Sequence, residues 1–153
     1  MAATAWAMYG QALENVLDGT IDLEADSFRM ALVGTGYTPN QSTDAAWSTI
    51  SGDEISGTGY TTHGKAVTLS QSRSGLVVTI DCDDQSWTTS TLASVAYAVI
   101  VRDADDNGAL AAGDIPMWYC ELEDGSSVST TNGTLSVTIN ASGLYALTAG
   151  TAA

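Results

Sequence analysis

From residue 27 onward the apolar residues recur at every second position, and this period constrains the fold more than any other feature of the chain. In SFRMALVG (27–34), Phe28, Met30 and Leu32 point one way and Arg29 the other. LVVTIDC (76–82) sets Leu76, Val78, Ile80 and Cys82 on one face. VAYAVIVRD (95–103) alternates Val95, Tyr97, Val99 and Val101 against Ala96, Ala98, Ile100 and Arg102, and reads as a central strand. IPMWYCEL (115–122), TLSVTIN (134–140) and GLYALT (143–148) complete the set, and KAVTLS (65–70) pairs with LVVTI across the turn at 72–75. Short strands separated by Gly, Ser, Asn and Asp predict a mainly β protein: a single antiparallel β-sandwich, jelly-roll or immunoglobulin-like.

One segment breaks the period. Trp6, Tyr9, Leu13, Val16 and Leu17 recur at three- and four-residue spacing opposite Gln11, Glu14, Asn15 and Asp18, with Gly19 at the capping position. This predicts a helix over 6–19 with its apolar stripe on the core. No repeat or linker divides the 153 residues, so one domain is expected: an arm over 1–5, the helix, and a sandwich over 27–148. The longest irregular stretch, 34–60, predicts a short helix over 44–50 capped by Ser42 or Thr43. It carries Tyr37, Trp47 and Tyr60, which an unfolded loop would leave in water, so it should be ordered.

Charge excludes two classes of partner. Four Lys and Arg face 18 Asp and Glu, a formal net charge of −14, and Arg29, Lys65, Arg73 and Arg102 are scattered. Nucleic acid and anionic membrane surfaces both require clustered cations. The opening residues lack a basic region followed by an apolar run, so no secretory signal is expected. A reducing compartment then favours buried thiols at Cys82 and Cys120 over a disulfide, and makes the sequons at Asn40, Asn132 and Asn140 incidental.

Candidate chemistry is thin. His63 is the only histidine, and no nucleophile motif accompanies it. The glycines of SGTGYTTHG precede an alternating strand and not a helix, so they read as turn glycines and not as a phosphate loop. Asp81, Asp83 and Asp84 form a carboxylate cluster, but strand alternation separates Asp81 from Cys82, and the other two read as a turn into Trp87. The residue pattern therefore predicts no catalytic site. The sharpest motif is DADDNGALAAGD (103–114), which places Asp103, Asp105, Asn107 and Asp114 at positions 1, 3, 5 and 12 of a calcium loop. An Asp at position 12 reaches less far than the usual Glu, and the flanks read as strands and not helices. The favoured reading is a solvated acidic hairpin tip, with calcium as the alternative.

Several motifs together resemble a family of small structural proteins of tailed bacteriophages. They are Leu32 with Tyr37-Thr38-Pro39-Asn40, then Glu54 with Ser56-Gly57-Thr58-Gly59-Tyr60, then Asp83, Asp84 and Trp87, and Tyr97-Ala98-Val99. The likeness runs from about residue 9 to residue 147. It departs from the family at MWYCELEDG (117–125), so the acidic loop is not part of it. The resemblance implies a virion structural protein made in the host cytoplasm, specifically a decoration or cement protein on the outer capsid surface. Its partners would be the major capsid protein and itself, as a homotrimer, with Tyr37, Trp47 and Tyr60 as partner-facing aromatics and no enzymatic activity. Alternatives are a tail-associated subunit and, in a different class, a carbohydrate-binding module.

Overall fold

The computed structural model describes residues 4–150, and these form two antiparallel sheets with one α-helix. The larger sheet has six strands: β1 (Ala7–Met8), β2 (Ser27–Gly34), β3 (Lys65–Val67), β6 (Gln85–Asp103), β7 (Pro116–Glu121) and β8 (Val128–Val137). Its order is β1-β7-β6-β2-β3, with β8 also on β6. The smaller sheet orders β4 (Leu69–Ser74), β5 (Val77–Cys82) and β9 (Tyr145–Thr148) as β4-β5-β9. The expected β-sandwich is present, and its larger sheet also takes in β1, ahead of the strands the periodicity indicates.

β6 is the backbone of the molecule. Its second half pairs β2 on one side and β7 on the other; its first half pairs β8, which continues β7 along the same side. With neighbours on both edges and layers on both faces, Val95, Ala98, Val99, Ile100 and Val101 are fully buried. Burial of β2 is equally two-sided: Ala31 and Val33 are as buried as Met30 and Leu32, so strict alternation understates this strand.

Several expectations require correction. The helix α1 runs over Gly10–Leu17, not 6–19, because residues 7–8 instead pair Tyr119 and Trp118 of β7. The open edge of β7 satisfies those amides by strand addition, and Tyr9, extended at φ −76° and ψ 145°, donates its amide to Met117. Thr4, assigned to the arm, also belongs to this edge, donating its amide to Glu121 at 2.9 Å; residues 1–3 lie outside the described residues. Trp6, Tyr9, Leu13 and Val16 of the predicted stripe pack on the core and Ala12 joins them, but Leu17 is left 76% exposed.

The helix expected over 44–50 is a pair of 3₁₀ turns, Trp47–Thr49 and Ser51–Asp53, preceded by an extended Ala46; neither Ser42 nor Thr43 caps them. The amides of Trp47 and Ser48 donate to Asp114 and Ala112, and these outside acceptors replace the turn a longer helix would supply. KAVTLS divides between sheets: Leu69–Ser74 pairs β5 as expected, but Lys65–Val67 pairs β2. The first half of β6 escapes the period-two reading because bulges at Thr89 (φ 52°) and Ser94 (φ 54°) shift its register.

Candidate functional site

The glycine-rich loop is built around one carboxylate. Glu54 Oε1 accepts the Tyr60 hydroxyl at 2.7 Å and the His63 amide at 2.5 Å. The Tyr60 oxygen in turn accepts the amide of Leu32 on β2 at 3.1 Å. Arg29, on the same strand, donates to the carbonyls of His63 and Gly64 at 2.9 and 2.8 Å. Burial pushes the Tyr60 phenol well above its ordinary range, so it stays a proton donor to Glu54. Two glycines have no substitute here. Gly64 sits at φ +65° with its Cα against the Met30 carbonyl, and Gly59 sits at φ +82° where a Cβ would stand 2.9 Å from Ser90 Cα. The loop is a clasp between β2 and β6, and its residues act on shape.

His63 belongs to that clasp through its main chain. It holds φ 70°, and its Nδ1 is buried without a hydrogen-bond partner, so neither a base nor an orienting carboxylate engages the ring. The His63 side chain is half-buried.

The three aromatics assigned to a partner face the interior. Tyr37 is 5% exposed and Trp47 1%. Tyr37 donates to Asp44 Oδ2 at 2.6 Å and shares a 2.7 Å hydrogen bond with the Tyr9 hydroxyl, while Tyr60, half-buried, packs 6.2 Å from the Trp87 ring. Tyr37 and Trp47 fill a core beneath a loop, and residues so buried present no face to a partner, whereas Tyr60 keeps part of its surface exposed.

In the acidic loop, Asp103 and Asp114 are buried, at 3% and 4% exposure, while Asp105 and Asn107 are exposed. Asp103 accepts the amides of Gly108 (2.9 Å) and Asn107 (3.4 Å); Asp114 accepts those of Ala111 (2.7 Å) and Ala104 (3.3 Å). Asn107 Oδ1 takes the Ala109 amide at 2.8 Å, and Asp106 accepts from Ser27 at 2.6 Å. The oxygens at positions 1, 5 and 12 therefore accept the loop's own amides. No group of three or more His, Cys, Asp or Glu side chains converges on a cation position among the described residues.

The remaining candidates are dispersed. Asp81 is exposed, Asp83 accepts the Thr68 amide at 3.1 Å, and Asp84 accepts the Ile139 amide at 2.7 Å, so Asp83 and Asp84 tie strands together. Cys82 and Cys120 are free, buried thiols, and burial pushes both up to about 12.

One surface feature escaped the residue pattern. Tyr97 and Tyr119, half-exposed on neighbouring strands, stand 6.4 Å apart over Tyr37 and Tyr9. Alternation puts Tyr97 with the buried Val99, but their adjacency needs the β6–β7 register. Their rings meet at 73°, an edge-on arrangement that lacks the parallel faces a sugar stacks on. Comparison with protein families, with curated proteins and with solved structures finds no match.

Proposed function

We propose that this chain is a structural protein of a tailed-phage virion, a head decoration protein that binds the outside of an assembled capsid and bridges neighbouring capsomers. One observation carries the reading. The residues on which the phage-protein resemblance rests are those that set shape: Leu32, Glu54, Gly59 and Tyr60 make the clasp, and Tyr37 and Asn40 meet on Asp44. A signature of that kind belongs to a protein whose role is to present a fixed surface, and the proposal requires no reaction.

Electrostatics supports the choice of partner. Each of the four cations is engaged within the chain: Arg29 on loop carbonyls, Arg102 on Asp26, Arg73 on the Gly75 carbonyl, and Lys65 on the Ser86 carbonyl over the Trp87 ring. That leaves no cationic patch for phosphate, whereas a capsid contact can be made through apolar and main-chain groups. With −14 per subunit, self-association as a homotrimer must likewise use uncharged surface. The trimer itself is proposed by analogy with cement proteins of similar build.

Stoichiometry in purified virions tests the proposal. A copy number comparable to the major capsid protein is expected. A few copies per particle would assign the chain to the tail, and absence from the particle would end the virion reading.

A further inference from the structure

We infer that the groove between β8 and β9 is a strand-acceptor site, which takes an extended, uncharged segment of a partner polypeptide by adding it to the open edge of β8. The inference does not depend on the capsid proposal. The groove encloses about 910 Å³, near the upper end of ligand clefts, which run roughly 300–1,000 Å³. Leu135, Val137 and Leu144 supply apolar surface, and Trp6 forms part of one wall. None of the described residues that line it is charged, in a chain with 18 carboxylates.

The main chain determines which kind of ligand fits. β8 pairs only β6 and β9 pairs only β5 among the described residues, so the groove is bordered by two strand edges whose outer amides and carbonyls lack strand partners. An added strand meets that requirement along its whole length, and a compact apolar molecule does not. The same side of β6 already shows this mode of binding. β7 receives Ala7–Met8 as an added strand in register with Tyr119 and Trp118, Thr4 donates its amide to Glu121, and β8 continues β7 along the same side.

The edges of this protein are not treated alike. Exposed edges are normally blunted by charge, proline, brevity or a bulge. β3 is three residues long and begins with Lys65, and β4 carries Arg73. β8 is ten residues long; its pairing is bulged over residues 128–135 but regular at Leu135–Val137 beside the groove, and VSTTNGTLSVTIN (128–140) contains neither a charged residue nor a proline. An edge left this open beside an uncharged groove is suited to pairing, and the absence of charge favours an uncharged guest.

A phage-displayed library of random 12-residue peptides, panned on the immobilised full chain, tests this directly. Selected peptides should be uncharged and rich in β-branched residues. They should slow amide hydrogen exchange across Val128–Val137 at least tenfold and shift a Trp emission that disappears in Trp6→Phe. A Ser136→Lys/Thr138→Lys variant places charge at two exposed groove positions, so it should fold with an unchanged unfolding temperature and lose at least tenfold in peptide affinity. Failure to select any peptide overturns the inference, as do peptides that bind the variant equally well or leave β8 exchange unchanged. Concentration-dependent dimerisation of the wild type, abolished in the variant, would make a second copy the occupant and overturn the partner-strand assignment.

Discussion

Two loops of this protein lie side by side and are held by opposite means. The glycine-rich loop, 51–64, is fixed by close backbone approach to β2 and β6, with one carboxylate at its centre. The acidic loop, 103–114, has little apolar content; Leu110 is its one large buried apolar residue. It is held by two buried carboxylates that accept its own amides. The segment around Trp47 joins them, with Trp47 and Ser48 donating to Asp114 and Ala112 at 2.7 and 2.9 Å. The contrast is between two ways of fixing a loop. Around His63 the glycines let the backbone close on β2 and β6, and in the acidic loop Asp103, Asn107 and Asp114 accept the loop's own amides.

The comparison breaks most sharply at Gly64. Alanine there would meet the Met30 carbonyl at a positive φ, so Gly64→Ala should cost about 3 kcal/mol and lower the unfolding temperature by roughly ten degrees. A thermal shift below two degrees would mean the loop is not pressed against β2.

Asp103→Ala comes next. It leaves the Gly108 and Asn107 amides short of an acceptor in a buried setting, at about 2 kcal/mol. Denaturant unfolding should show that loss, whereas Asp105→Ala, at an exposed position, should change stability by less than about 0.5 kcal/mol. A chelator should leave the wild-type melting curve unmoved. A drop of several degrees that is absent in Asp105→Ala would instead make the loop a cation site.

Tyr60→Phe should cost about 1 kcal/mol, since it removes the hydroxyl between Glu54 and the Leu32 amide but keeps the ring beside Trp87. Equal stability of the two proteins would remove the hydroxyl from the account of the clasp. The smallest effect belongs to His63→Ala, within about 0.5 kcal/mol, because the ring makes no hydrogen bond and the backbone carries the contacts. A change above 1 kcal/mol would give the imidazole a role that the geometry does not.

Much of the fold was legible in the sequence because alternation is local: a strand with one wet face must repeat with period two, as β5 does over Ile80–Cys82 and β8 over Leu135–Val137. Legibility failed where partners distant in sequence decided the outcome. Residues 6–8 have helical spacing but extend, because β7 offers an unpaired edge. The first half of β6 hides its strand character behind bulges that only β8 accommodates. Tyr37 and Trp47 look like aromatics in an exposed loop until the fold closes over them. The groove was not legible at all, since its walls come from residues 4–6, 120, 122, 128, 135–140 and 143–146.

By itself, then, the sequence determined the β class, the turn positions, the acidic surface and the buried thiols, all of which follow from composition and short-range periodicity. The tertiary structure alone decided which strand edges are filled, which carboxylates are buried and which glycines are irreplaceable. Each of those depends on what a distant segment places within a few ångströms, and hydrogen bonding and excluded volume act through space, not along the chain.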